Sequence, residues 1–118
     1  MFFNKIFMIG NLTGEPELKQ TGRGSVCTFS IASNRVYTVN NGERREETCF
    51  VGVTVWGKQG ESCARYLTKG RAVLVEGRLS YQTWKNEYGE TRSRHEIIAE
   101  HINFLSGGSQ GDGTHEQQ

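Results

Sequence analysis

Thr48-Cys49-Phe50-Val51-Gly52-Val53-Thr54-Val55-Trp56-Gly57-Lys58 reads as a β-strand whose two faces differ in kind. Alternation puts Cys49, Val51, Val53 and Val55 on one side, and Phe50, Gly52, Thr54 and Trp56 on the other. The first row is small and apolar, suited to the inside of a sheet or barrel. The second carries two large rings and a bare glycine. Phe50 and Trp56 stand about 20 Å apart along an extended chain at ~3.3 Å per residue. Such a row is either a platform on which flat ligands stack, nucleobases above all, or a face covered by another sheet or subunit. Base stacking is worth roughly 1–3 kcal/mol per base. Gly52, between the rings, leaves room for a base or a neighbouring backbone.

Working outward, strand signals recur on both sides of this stretch. Residues 3–11 form a first strand, apolar on both faces through the Ile6/Met8 and Phe7/Ile9 pairs, which points to burial against the barrel and a partner chain. Residues 11–24 are turn-rich, with a short extended piece near Leu18. A second strand runs from Val26 to Tyr37, alternating Cys27, Phe29 and Ile31 with Thr28, Ser30 and Ala32. Asn41-Gly42 marks a hairpin into the third strand, and Arg35, Arg44 and Arg45 flank that loop with Tyr37 at its root. After Trp56 the period changes. Gln59–Leu67 is a short helix presenting Cys63, Ala64, Tyr66 and Leu67, stopped by Lys69-Gly70. Ala72–Leu79 is the fourth strand and Glu96–Leu105 the fifth. Between them Ser80–Arg92 is a polar arm containing Tyr81, Trp84, Lys85 and Tyr88, turning at Asn86–Gly89.

Size and composition agree. The 118 residues suit one domain. Apolar content of 35% with 15 glycines and one proline fits a small all-β protein with many turns. No apolar run is long enough to span a bilayer, and the start reads as a strand, not a signal peptide. Three cysteines, Cys27, Cys49 and Cys63, without CxxC spacing indicate neither a disulfide framework nor a zinc site. They read as small core fillers in a reducing, cytoplasmic setting. His95 and His101 read as structural. All 14 Lys and Arg precede Ser106 against 11 acids, so that region carries 14 − 11 = +3, a mild bias compatible with phosphate binding. From Gly107 the chain is Gly, Ser and Gln with little else, a composition that does not bury enough surface to order itself. The expected layout is a folded unit over 1–105 and a flexible tail over 106–118.

Five strands with one helix between the third and fourth is the order of an OB-fold, a five-stranded Greek-key barrel. Its ligand surface is the face of strands two and three with the loops joining strands one to two and four to five. Phe50, Trp56, Tyr37 and Trp84 come from separate segments and all map to that surface. That agreement favours the stacking platform.

The chain also resembles the bacterial single-stranded DNA-binding protein family over nearly all of residues 4–105. The resemblance is carried by Asn4-Lys5-Ile6, Ile9-Gly10-Asn11-Leu12, Glu15-Pro16-Glu17-Leu18, Thr28-Phe29-Ser30-Ile31-Ala32 and Glu46-Glu47-Thr48. It continues through Val55-Trp56-Gly57-Lys58, Tyr66-Leu67 with Lys69-Gly70, Val75-Glu76-Gly77-Arg78-Leu79, and Trp84. It implies an OB-fold homotetramer that wraps single-stranded DNA with little sequence preference and serves replication, recombination and repair. It also implies that Tyr37, Phe50, Trp56 and Trp84 occupy base-stacking positions, and that Lys5, Lys58 and Lys69 match phosphate-contacting ones. Arg35, Arg44, Arg45 and Lys85 are further phosphate candidates from their place in the arms. Two departures stand out. Val51-Gly52 replaces a His-Arg pair common in the family, and Ser80-Tyr81-Gln82-Thr83 precedes Trp84 where Arg-rich stretches are frequent. Both shift the expected balance from charge to stacking. The final residues, His115-Glu116-Gln117-Gln118, do not match the acidic, apolar-ended tip through which members recruit replication and repair proteins, so the likeness gives no support for such partners.

The expected function is therefore sequence-independent binding and protection of single-stranded DNA, with no cofactor, no metal and no catalysis, in the cytoplasm at the nucleoid. No nucleophile–base pair, carboxylate pair or phosphate-cradling loop has the spacing an enzyme needs. The alternative is an OB-fold accessory module whose aromatic face grips a protein.

Overall fold

A computed structural model describes residues 1–106. In chain order the elements are β1 (Ile6–Leu12), β2 (Glu17–Thr21), β3 (Gly24–Thr38), β4 (Arg44–Trp56), α1 (Gly57–Tyr66), β5 (Ala72–Lys85) and β6 (Thr91–Phe104). The sheet order is β1-β5-β6-β4-β3-β2, and an added β1–β3 pairing closes the ring. The closed barrel therefore uses β1, β3, β4, β5 and β6, the five strands read from the sequence. The extended piece near Leu18 is a sixth strand, β2, hung on the outer edge of β3 from Glu17↔Thr28 to Thr21↔Gly24. Exposed throughout and polar except for Leu18, it shows no buried row to count, so periodicity alone does not mark it as a strand. The expected tail from Gly107 lies outside the described residues.

The core follows from alternation. Cys27, Phe29 and Ile31 of β3 stand opposite Val55, Val53 and Val51 of β4. All but the half-buried Val51 join Leu12, Val73, Val75, Ile97, Ile102, Cys63 and Leu67 in one buried cluster, against which Val51, Ile6 and Met8 pack. Closure is economical. β1 meets β3 through Asn11↔Ala32 and Leu12↔Ile31, and β4 runs parallel to β6 only from Gly52 to Thr54. Elsewhere the long strands leave the barrel as two antiparallel arms, β3–β4 and β5–β6.

Both arms are made by turn chemistry. In the first, Gly42 has φ +89°, which only glycine adopts without steric cost. Asn41 Oδ1 accepts the Glu43 N–H at 2.9 Å, and the Val39 N–H donates to the Glu43 carbonyl at 2.9 Å. In the second, Asn86 Oδ1 accepts from the backbone of Tyr88 and Glu90 at 2.9 and 3.0 Å. The expected polar arm is thus two paired strands, with Tyr81↔His95 and Trp84↔Arg92 in register. Strand five begins at Thr91, not Glu96, and the helix begins two residues earlier than the periodicity indicates.

Two expectations about burial change. Cys49 is exposed, not a core filler, because it lies on the arm beyond the parallel β4–β6 pairing. Tyr66 is also exposed. Of the face expected on α1, Cys63 and Leu67 are buried, and Ala64 packs against the core. The helix closes the end of the barrel because Gly60 lets it lie on β4: a Cβ there would run into the Val55 carbonyl.

One irregularity ties several elements together. Glu76 pairs with His101 and Gly77 with Ala99, so Glu100 bulges from β6. The Gln59 side chain satisfies the backbone there, donating to the Glu100 carbonyl at 3.2 Å and accepting the Ile102 N–H at 2.6 Å.

Candidate nucleic-acid interface

Residues directly opposite in neighbouring strands share a face, so the register fixes which side chains meet. On β4 the outward row is Phe50, Gly52, Thr54 and Trp56, set beside Ala32, Ser30, Thr28 and Val26 of β3. Gly52 pairs on its other side with Glu96 of β6, and Glu96 pairs with Ser80 of β5. The same face then continues through Gln82 and Trp84 on β5, with Arg94 and Arg92 opposite. Phe50, Trp56 and Trp84, which are distant in sequence, thus lie on one continuous outer surface.

These rings are uncovered. Phe50 is 70% exposed, Trp84 45% and Trp56 40%. Burial would stabilise such side chains by roughly 1.5–3 kcal/mol each, so the fold forgoes an apolar gain at all three. Gly52 between Phe50 and Trp56 is not demanded by packing: an added Cβ would meet only the Glu96 Cβ at 3.9 Å, ordinary contact. The glycine leaves space over the sheet. No neighbouring backbone approaches there, so of the two uses expected of Gly52 only room for a ligand remains.

Tyr37 is placed differently. The β3–β4 register runs unbroken from Val26↔Trp56 to Thr38↔Arg44, so alternation sets Tyr37 with Arg35 and Arg45 on the opposite side of the ribbon from Phe50. There it is half-buried under the Arg35 guanidinium, 4.7 Å from the ring centroid.

The cations divide in the same way. Lys5 is held by carboxylates, 2.8 Å from Glu100 and 3.6 Å from Glu76; the hydrogen bond to Glu100 raises its pKa above the ordinary 10.5. Arg35 pairs with Glu47 at 2.7 Å and Arg45 with Glu43 at 2.8 Å. Arg44, Lys58, Lys69 and Lys85 are exposed and make no ion pair among the described residues. Of these, Arg44 alternates onto the side of Phe50, whereas Lys85 lies across the ribbon from the side of Trp84. Lys58 is the second residue of α1, two positions after Trp56.

Arg94 was not singled out in the sequence. It stands on the face of the rings, its guanidinium carbon 5.7 Å from the Trp84 centroid, where cation–π attraction operates. The signal was present: Arg92-Ser93-Arg94-His95-Glu96 alternates, and pairing it with the Trp84 strand places both arginines beside that ring. Starting the last strand at Glu96 hid it. His95 lies against Tyr81 on the other side, ring centroids 4.8 Å apart and planes tilted by 44°.

A surface with exposed rings, an open glycine and cations between them suits an unpaired nucleic-acid strand. Among the described residues no helix is long and apolar enough to cross a membrane. Comparison with known proteins points the same way. The chain is 41% identical over 111 residues to the single-stranded DNA-binding protein of Helicobacter hepaticus, covering 93% of this chain and 65% of that protein. It is 39% identical over 104 residues to that of Helicobacter pylori, covering 87% and 58%. With single-stranded DNA-binding protein 2 of Chlorobaculum tepidum the identity is 44% over 105 residues, covering 87% and 71%. The chain thus spans less than two thirds of either Helicobacter protein. Among solved structures, the Plasmodium falciparum SSB in complex with ssDNA superposes with TM-score 0.80 at 30% identity, over 90% of this chain and 97% of that one. A deletion mutant of the single-stranded DNA binding protein from Thermus aquaticus gives 0.77 at 34%, over 89% and 51%. The model of the single-strand binding protein family matches residues 3–105, and the chain belongs to that family.

Proposed function

We propose that this chain binds single-stranded DNA with little sequence preference over the strand as a whole. Unpaired bases stack on Phe50, Trp56 and Trp84, while Lys58, Lys69 and Arg44 neutralise phosphates and release counterions. Tyr37, with Arg35 and Arg45, extends contact to the far side of the β3–β4 arm, and Lys85 does so on the β5–β6 arm. Lys5 contributes less, since two carboxylates already hold it. The observation that carries the reading is the single outer face on which three exposed rings, from β4 and β5, lie around Gly52. Duplex DNA hides its base faces and is excluded, which gives strand selectivity without a base-edge code.

Around that activity we place a cytoplasmic protein that protects single strands during replication, recombination and repair, and assign no catalytic step to it. A homotetramer fits the exposed Phe7 and Ile9 on β1, apolar side chains that a second copy would cover. Anisotropy of a labelled oligo-dT and of a blunt duplex of equal length, at one salt concentration, tests the reading. Oligo-dT should bind and the duplex should bind far more weakly. Equal binding of the two, or none of oligo-dT, would favour the accessory protein-binding module.

A further inference from the structure

The face of exposed rings also contains one buried acid. Glu96 is 8% exposed, and Oε1 accepts a hydrogen bond from Thr54 Oγ1 at 3.1 Å. Arg94 lies 3.7 Å from the same oxygen, beyond hydrogen-bond length. Oε2 accepts no hydrogen bond from a described residue. A carboxylate has about four acceptor sites, and burying one is costly unless those sites are used. Glu96 is therefore short of donors.

The missing donor has a place to come from. Glu96 lines a cavity of about 270 Å³ together with Thr54, Gly52, Arg94, Glu15 and Glu17. Pockets for drug-sized ligands run to roughly 300–1,000 Å³, so this smaller space suits one flat ring system. Three carboxylates against one guanidinium make it hostile to phosphate. What enters is a neutral group that brings hydrogen-bond donors. Gly52, directly across from Glu96, keeps the approach clear.

We propose that Glu96 accepts a hydrogen bond from the exocyclic amine of one base, so that the site beside Gly52 favours amine-bearing bases. Cytosine is the simplest, since carboxylates accept from its N4 amine. Uracil and thymine carry a carbonyl at that position and set it against the carboxylate. The inference rests on the single-stranded DNA binding proposed above and adds a local base preference to it.

The test compares oligo-dC with oligo-dU of equal length, which differ at C4 (amine against carbonyl) and at N3 (acceptor against N–H), for the full chain and for Glu96→Gln. For the unaltered protein dC should bind about fivefold tighter than dU, the low end of discrimination by a base contact. Glu96→Gln should abolish that ratio. Equal affinity of the unaltered protein for dC and dU would overturn the proposal even if Glu96→Gln failed to fold. So would Glu96→Gln weakening both oligomers by one common factor, the mark of a purely structural carboxylate. Failure to bind either oligomer would instead sink the single-stranded DNA reading itself.

Discussion

The two halves of β4 carry the same alternating row and meet different fates. Val53 and Val55 are sealed in the barrel, while Cys49, on the same side of the same strand, is exposed. Val53 lies within the short parallel pairing with β6, and the barrel wall wraps around its side. Cys49 lies outside that pairing, on an arm held only by β3. Alternation thus tells which side a residue takes, and closure of the sheet decides whether that side is interior. The outer row shows the complement, with Phe50 and Trp56 uncovered on both the arm and the barrel.

The comparison breaks first on stability. Ile31→Ala, at a fully buried position, should cost about 2–5 kcal/mol in urea unfolding. A loss below 1 kcal/mol, against that ~2 kcal/mol floor, would mean the barrel is not the stabilising unit. Next come the rings: Trp56→Ala and Trp84→Ala should each weaken oligo-dT binding by about 1–3 kcal/mol. Tyr37→Ala, on the opposite side of the ribbon, should cost less than either. If Tyr37 proves the most costly of the three, the DNA runs along the other side of the arm.

Charge gives a smaller signal. Removing Lys58 should reduce the slope of log affinity against log salt by ~0.7, the value for one single-strand phosphate contact. Lys5→Ala should leave the slope almost unchanged, because Glu100 and Glu76 already neutralise that ammonium. Equal changes for the two would mean that DNA displaces the carboxylates.

The smallest effect belongs to the arm. Cys49→Ala should alter stability by less than ~0.5 kcal/mol, while Cys49 alone among the thiols should react quickly with a thiol reagent at pH 8. Burial raises the pKa of Cys27 and pushes that of Cys63 from 9.0 up to about 12. Once unfolded, Cys63 loses its proton near pH 9, whereas in the fold it keeps it until about 12. The unfolded state then binds fewer protons, so stability should fall as pH rises through that window. Flat stability from pH 9 to 12 would contradict the burial of Cys63.

Much of this was legible in the sequence because apolar residues at period two mark a half-buried strand wherever the barrel closes over them. The barrel strands and the ring-bearing face carried that signal, and the helix and the Asn-Gly turn carried local signals of their own. β2 did not, being exposed on both sides and placed only by hydrogen bonds to β3. Arg94 and Glu96 became part of the site only through the pairing of β6 with β4 and β5, a long-range register that single-strand periodicity does not contain. Tyr37 was grouped with the other rings by its nearness in sequence to the arm, and the unbroken β3–β4 register sets it on the other side.

The most direct test uses single-tryptophan proteins, Trp84→Phe retaining Trp56 and Trp56→Phe retaining Trp84. Emission from each remaining indole should be quenched by oligo-dT, recover at high salt, and stay unchanged with duplex of equal length. An indole whose emission does not change while anisotropy reports bound oligo-dT would contradict base stacking on this face.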